Sequence, residues 1–520
     1  MPPAPSTPSD TSLTALVRDA AFRSPDKLYL SDGSRHLTFG EAWQQIETIA
    51  ANLQVRGIGH GDRVVIVTEN RIESVLLFFA TIRAGGIAVI LHPQLKPEGL
   101  HRVIDQTKPK LGLLEASTAS LSAEFGETPV VWAEQASFEA LLAAPKSEAL
   151  PFPGQETDPA FLVFTSGSTG TPRGVILTHA VVRFVSAAIQ ARLQYQAEDR
   201  VAVLLPLSFD YGLYQLFYAA IAGASVFIGR PEMAGPELPR ILAAQEISVL
   251  PGVPTLFGGL IKMQRYRPVP LPKIRVITNT GDHLPQSYIA SLRELFPQAR
   301  IYPMYGLTEA FRSTYLPPEL VATHPESMGR AIPHAEILVC RPDGSLTDDD
   351  EPGELVHCGP LVAQGYWNDP IRTAERFRPA PPSSSYDGRA VWSGDTVRRD
   401  AEGLLYFVGR EDAMIKSAGN RISPTEVEEA AQSVEGVAEA VALGVPDARL
   451  GQAVLLLVRI AEGHAGVLDA LHDYLKKELP NFMMPVDILV VDQFPRNPNG
   501  KIDRVELANN WGSLTEGQPA

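Results

Sequence analysis

Short apolar runs punctuate the chain at Val64 to Val67, Ile87 to Leu91, Val201 to Leu205 and Arg275 to Ile277, and they alternate with helix-period stretches such as Leu76 to Ala84 and Leu216 to Ala222. Strands rich in β-branched residues that trade places with amphipathic helices predict a layered α/β architecture. From Ile337 to Val408 the rhythm changes to short strands separated by Pro, Gly and Asp turns, which predicts a smaller β subdomain. After Gly409 it changes again. Pro424 to Ser433 opens like a helix with acidic residues in its first turns, Val441 to Val445 and Leu455 to Ile460 read as strands, and Val467 to Leu479 reads as a second helix. The pattern predicts a large multi-lobed N-terminal domain over residues 16–411 and a small α+β C-terminal domain over 412–520, divided near Asp412. The longest apolar stretch, Val75 to Leu91, is broken by Arg83 and Gly85-Gly86, so it reads as a helix running into a strand and not as a membrane span. Residues 1–15 open with Met1-Pro2-Pro3-Ala4-Pro5, lack the basic start and apolar core of a secretory signal, and read as a disordered tail.

Composition narrows the function classes. A chain of 520 residues exceeds what one core supports, which agrees with several lobes. Sixty acidic against 45 basic residues leave a net charge of −15, which speaks against nucleic-acid or anionic-membrane partners. Eleven histidines and two cysteines, Cys340 and Cys358, form no metal-spaced cluster and no disulfide framework, so a reducing, cytoplasmic setting is expected.

The densest chemistry follows the apolar run Phe161-Leu162-Val163-Phe164. The next ten residues are Thr165-Ser166-Gly167-Ser168-Thr169-Gly170-Thr171-Pro172-Arg173-Gly174. Glycines let the backbone approach a ligand, hydroxyls and N–H groups can point inward, and Arg173 adds fixed positive charge, so the stretch reads as an anion cradle. On composition alone it could equally be a Ser/Gly/Thr surface turn. It is not a Walker loop, because Pro172 and Val175 stand five residues beyond Gly167 and Gly170. A dinucleotide fingerprint is also missing, since Gly57-Ile58-Gly59 is followed by Asp62 where the third glycine would fall.

Further motifs come in order: Tyr305-Gly306-Leu307-Thr308-Glu309, Trp392-Ser393-Gly394-Asp395, Gly409-Arg410-Glu411-Asp412 with Lys416, Gly419-Asn420-Arg421 and Glu426, and Pro498-Asn499-Gly500-Lys501. With the Thr165 loop, this series resembles the adenylate-forming superfamily of acyl-CoA synthetases, nonribosomal adenylation domains and luciferases. The resemblance implies two half-reactions: a carboxylate attacks the α-phosphate of ATP with release of pyrophosphate, and a thiol then takes the acyl group. Positioned cations and donors would carry the first step, because negative charge builds on the α-phosphorus.

The same resemblance distributes roles. Thr165, Ser166, Gly167, Ser168, Thr169, Gly170 and Arg173 would cradle phosphates, and Arg173 stands where the family usually carries lysine. Thr308 would hold the α-phosphate and Glu309 a Mg²⁺ ion, a hard cation content with one carboxylate plus phosphate oxygens and waters. Tyr305 would stack on adenine, Asp395 would bind the ribose, Arg410 would complete the clamp, and Gly281, Asp282 and Gly306 belong to the same nucleotide set. Read blandly, Tyr305 is a core aromatic and Asp395 a turn former. Lys501 would reach the substrate carboxylate and α-phosphate, or else is a solvated tail lysine. Gly419 would line the thiol's path, with Asp412 the hinge about which the C-terminal lid rotates between half-reactions.

The acid pocket is expected to use Phe209, Asp210, Tyr211, Met304 and Arg312. Phe209-Asp210 matches the pair that amino-acid-activating members use to hold an ammonium; a rim carboxylate paired with protein donors is the alternative. Arg312 would either pair with Asp210 or read a second carboxylate. Three functions stay open: a ligase to coenzyme A, a free-standing amino-acid adenylation enzyme loading a separate carrier protein, and a non-catalytic nucleotide-binding relative. With no carrier module after Lys501, the chain is expected to act on a small acid as a monomer or homodimer, with no nucleic acid or membrane partner.

Overall fold

The computed structural model describes residues 11–514 apart from 134, 135, 145–147, 151, 153, 167–171, 411–414, 418, 419, 448, 449, 462, 463, 465, 498 and 499. Three sheets organise it. In the first, Arg63–Val67, Ile87–Leu91, Leu111–Leu114, Val130–Trp132 and Pro159–Ser166 run parallel. Strands covered by helices on both faces lose the in–out alternation, which explains why these read as continuous apolar runs. Pro172–Thr178 folds back antiparallel on Pro159–Ser166, and the two-residue strand Gly365–Tyr366 closes that edge.

The second sheet joins two regions that the sequence rhythm separates. Ser225–Ile228, Arg200–Val203, Val249–Gly252, Val276–Asn279 and Arg300–Leu307 are parallel neighbours. The chain then turns at 308–310 into Phe311–Tyr315, whose far edge receives Ser327–Ala331 and then Leu405–Arg410, Arg389–Arg399, Gly353–Cys358 and Glu336–Cys340. The expected β subdomain of 337–408 is therefore an antiparallel extension of the parallel sheet.

Residues from Ile415 to Val490 build the third sheet, covered by helices Pro424–Gln432 and Val467–Glu478. Its core is its own: Ile415, Val427, Val454, Leu456, Val458, Leu471 and Leu475 pack together. The architecture is thus mixed α/β, with a large N-terminal and a small C-terminal domain.

Boundaries shift where side-chain pattern misses backbone constraint. The helix read from Leu216 begins six residues earlier and spans Asp210–Ala222. Gly212 permits that start, because a Cβ there would lie 2.5 Å from the Pro206 carbonyl oxygen and 2.8 Å from that of Leu205. The helix is pressed against Leu205 and Pro206, just beyond the strand Arg200–Val203, and Asp210 becomes its first residue. Val75 to Leu91 forms helix Ile72–Arg83 followed by strand Ile87–Leu91, and among the described residues no helix is long and apolar enough to cross a membrane.

Candidate active site

A cleft of about 1620 Å³ is lined by Thr165, Phe209, Gly281, Met304, Tyr305 and Glu309 of the large domain and by Arg496, Lys501 and Arg504 of the small one. The hairpin between Arg300–Leu307 and Phe311–Tyr315 supplies its centre. Leu307 pairs with Phe311, leaving Thr308, Glu309 and Ala310 as a three-residue tip. The crossing is tight: a Cβ on Gly306 would fall 1.9 Å from the Phe311 carbonyl oxygen. Phe311 adopts φ +57°, a left-handed conformation that a bulky residue rarely takes. Its ring, 2% exposed, stacks on Tyr214 at 5.0 Å and 27°, and this packing holds the strained tip in place.

Two tyrosines fix the carboxylates on one side of the cleft. Glu309 is 8% exposed, and its Oε1 accepts a hydrogen bond from the Tyr366 hydroxyl at 2.5 Å. Asp395, 7% exposed, accepts from the Tyr305 hydroxyl. Strand register sets Arg410 opposite Asp395. Thr165 lies opposite Arg173 where Pro159–Ser166 pairs with Pro172–Thr178, and the Arg173 guanidinium stands 5.9 Å from the Tyr366 ring.

The small domain delivers Lys501. Its loop is closed by Asn497 N–H to the Lys501 carbonyl at 2.8 Å and by Lys501 N–H to Asn497 Oδ1 at 3.1 Å, with Gly500 at φ +79°. The Lys501 ammonium comes 5.2 Å from the Phe209 ring centroid. Gly281 makes room for it, since a Cβ there would lie 3.1 Å from Lys501 Cε and 3.3 Å from the Phe209 ring. Asp282 accepts from the His283 N–H at 2.9 Å. Its charge is felt by Arg504 and by the buried Glu428, which form an ion pair in the small domain. Asp282 therefore faces the small domain.

Asp210 and Arg312 stand behind the opposite wall, in contact with its lining residues Thr308 and Met304. Burial pushes the Asp210 carboxyl above the usual carboxylate range, while the Thr308 side chain, Lys501, the Tyr211 N–H and Arg312 pull it back. Thr308 thus links the hairpin tip to Asp210. Arg312 is 3% exposed, with its guanidinium 4.8 Å from the ring centres of both Tyr211 and Tyr218 and Nη1 directed at Met304 Sδ. Its Nε and Nη2 meet no acceptor in hydrogen-bond geometry among the described residues. Burial works against this cation, but Tyr218, Tyr211 and Tyr195 more than offset it, and its pKa stays above the ordinary value. Tyr211 is buried, with its hydroxyl committed to Thr278 at 2.6 Å, so it forms the wall behind the pocket.

Gly167, Ser168, Thr169, Gly170, Asp412 and Gly419 lie outside the described residues, as do the side chains of Ser166 and Arg410. Of the remaining candidates, Thr165, Arg173, Phe209, Gly281, Asp282, Met304, Tyr305, Gly306, Thr308, Glu309, Asp395 and Lys501 line the cleft, whereas Asp210, Tyr211 and Arg312 do not line it and lie behind Phe209, Met304 and Thr308. The structure adds three that the motifs did not mark: Tyr366, Glu428 and Arg504. A two-residue edge strand carries no periodicity, so only the glycine–aromatic pair Gly365-Tyr366 hinted at the first.

A model of the AMP-binding enzyme family matches residues 17–367, and one of the AMP-binding enzyme C-terminal domain matches 426–501. Tyrocidine synthase 3 of Brevibacillus parabrevis is 27% identical over 520 residues, which is 98% of this chain and 8% of that protein. The chain thus spans about a tenth of the length of such curated relatives. Among solved structures, the o-succinylbenzoate CoA synthetase MenE from Bacillus subtilis with its acyl-adenylate OSB-AMP is 26% identical, covering 95% of this chain and 97% of its own at a TM-score of 0.82. VinN is 31% identical, covering 76% of this chain and 98% of its own at a TM-score of 0.71, and it has also been solved in complex with L-aspartate. With the family model spanning more than half its length, the chain belongs to the AMP-binding enzymes of the adenylate-forming superfamily.

Proposed function

We propose that this enzyme adenylates an acid bearing an ammonium group and then passes the acyl group to a phosphopantetheine thiol. The observation that carries the reading is the convergence of Asp210, Thr308 and Lys501. An ammonium placed against Asp210 offsets the cost of burying that carboxylate. The substrate's own carboxylate then lies beside Lys501 and Thr308, where an α-phosphate held by Thr308 is open to attack. Lys501 and Thr308 stabilise the charge that builds on the α-phosphoryl oxygens as pyrophosphate leaves.

Tyr305 stacks on the adenine, and Asp395 with Arg410 holds the ribose. Thr165, Ser166, Ser168, Thr169 and Arg173 receive the β- and γ-phosphates. Glu309 fits a Mg²⁺ site, being a buried carboxylate with one oxygen taken by Tyr366 and the other open to a ligand. When bound, the ion neutralises phosphate charge. Rotation of the lid about Asp412 then withdraws Lys501 and brings Gly419 to the thiol path.

Arg312, with two donors lacking acceptors, favours an acid carrying a further anionic group, and the L-aspartate complex of VinN agrees. The acceptor is coenzyme A or a carrier protein; the synthase relatives support the latter and MenE the former. ATP–pyrophosphate exchange across amino acids, including amino dicarboxylates, and their deaminated counterparts tests the reading. Exchange is expected with the amino compounds. Equal or stronger exchange with the deaminated acids would overturn it in favour of a neutral-acid ligase.

A further inference from the structure

Glu309 is gripped twice by one short segment. The Ala363 N–H donates to the Glu309 carbonyl at 2.9 Å, and three residues on, the Tyr366 hydroxyl donates to its carboxylate at 2.5 Å. Tyr366 is itself rigidly mounted. Its N–H is bound to Thr373 Oγ1 at 2.9 Å, its ring meets Phe377 edge-on with centroids 5.4 Å apart, and the Trp367 N–H donates to the Gly174 carbonyl at 2.7 Å. Gly365 and Tyr366 pair with Ile176 and Val175, on the strand that leaves the phosphate loop. Arg173, at the start of that strand, faces the Tyr366 ring.

A carboxylate rotates freely unless one oxygen is held. Here the phenol holds Oε1, which restricts rotation of the carboxylate and leaves Oε2 as the oxygen that Tyr366 does not engage. We infer that Tyr366 is a positioning residue: it locks Glu309 as a one-sided ligand for a divalent cation on the phosphates of ATP, and it ties that ligand to the phosphate-loop strand. The inference rests on the reading of Glu309 as the metal carboxylate. It differs from that reading in placing a hydroxyl, not a charge, in control of metal affinity.

The test is a Mg²⁺ titration of ATP binding, followed by calorimetry, on wild type, Tyr366→Phe, Glu309→Gln and the double variant. Loss of an outer partner of a metal ligand costs about 10- to 100-fold in metal affinity. For Tyr366→Phe the Mg²⁺ midpoint should rise about tenfold, at the low end of that range. ATP affinity in EDTA should stay at the wild-type value, and the melting temperature without nucleotide should fall only by the loss of one hydrogen bond to a buried carboxylate, since the ring packing is kept. The double variant should be no worse than Glu309→Gln, because the hydroxyl acts only through that carboxylate. If Glu309→Gln moves the midpoint and Tyr366→Phe does not, the positioning role falls and the metal reading stands. If neither moves it, both fall. Equal loss of ATP binding with and without Mg²⁺ in Tyr366→Phe would show a merely structural hydroxyl and overturn the inference.

Discussion

The two sides of the cleft handle buried charge in opposite ways. Asp395 and Glu309 each accept a tyrosine hydroxyl, so their orientation is set before any ligand arrives. Asp210 and Arg312 are held differently: burial pushes the carboxyl up although Thr308 and the Tyr211 N–H donate to it, and the guanidinium's Nε and Nη2 meet no acceptor in hydrogen-bond geometry among the described residues. A buried charge without a full complement of partners is costly, and a ligand of matching charge can offset that cost. The difference teaches where selectivity resides. On the proposed function, the side that would receive the nucleotide has its carboxylates oriented by tyrosine hydroxyls in advance, and the side that would choose the acid has guanidinium donors left for the acid to meet.

The largest effect should come from the cation that the small domain brings beside Phe209 and Asp210. Lys501→Ala should lower adenylate formation by on the order of 3 to 4 kcal/mol, a few hundredfold, by removing a cation from a developing anion. Thioester formation from supplied acyl-adenylate should persist; equal loss in both half-reactions would break the idea that Lys501 serves one step only. Next, Asp210→Asn should strip only the acid side. It should reduce the preference for an amino acid over its deaminated analogue by roughly 2 to 3 kcal/mol in exchange assays, leaving ATP affinity intact. An unchanged preference ratio would return Asp210 to the role of a rim carboxylate.

Gly212→Ala sharpens the comparison through the backbone. A Cβ forced against two carbonyl oxygens should cost about 1 to 2 kcal/mol in thermal unfolding and displace Asp210, raising KM for the acid more than for ATP. The smallest effect concerns the lid contact between His283 and Glu429, 3.6 Å apart. Burial, then Glu326, Glu428 and Glu426, push the Glu429 carboxyl up to about 7. A carboxyl raised in the closed state stabilises closure at low pH, and that contribution is lost as pH climbs through about 7. His283, held below its usual range by burial, acts in the reverse sense and weakens closure as pH falls past its free value. Between about pH 6 and 8, wild type should therefore lose contact stability on the Glu429 side, whereas Glu429→Gln keeps only the opposing His283 contribution and should gain slightly as pH rises. Matching slopes in melting experiments would remove Glu429 from lid control.

What could be read from the sequence divides along similar physical lines. Layered α/β alternation and the position of Lys501 in its Asn–Gly loop were legible because periodicity and local turn chemistry write themselves into adjacent residues. The start of the helix at Asp210 was not, since it depends on Gly212 passing the carbonyls of Leu205 and Pro206, just beyond the strand Arg200–Val203. Nor was the joining of 337–408 to the parallel sheet, which turns on one hairpin edge accepting a distant strand. Arg312 was marked as a charge of uncertain partner; its tyrosine cage comes from Tyr195, Tyr211 and Tyr218, about a hundred residues away in the chain.

The left-handed Phe311 has an evolutionary consequence. Its ring lies on Tyr214, one turn along the helix that begins with Asp210, so the tip bearing Thr308 and Glu309 and the helix bearing Asp210 move as one. A lineage that retunes acid choice by mutating that helix perturbs the tip in the same step. Gains of new substrate by that route should arrive with losses of turnover, and cleaner switches should accumulate at lining positions outside that helix, such as Asn279.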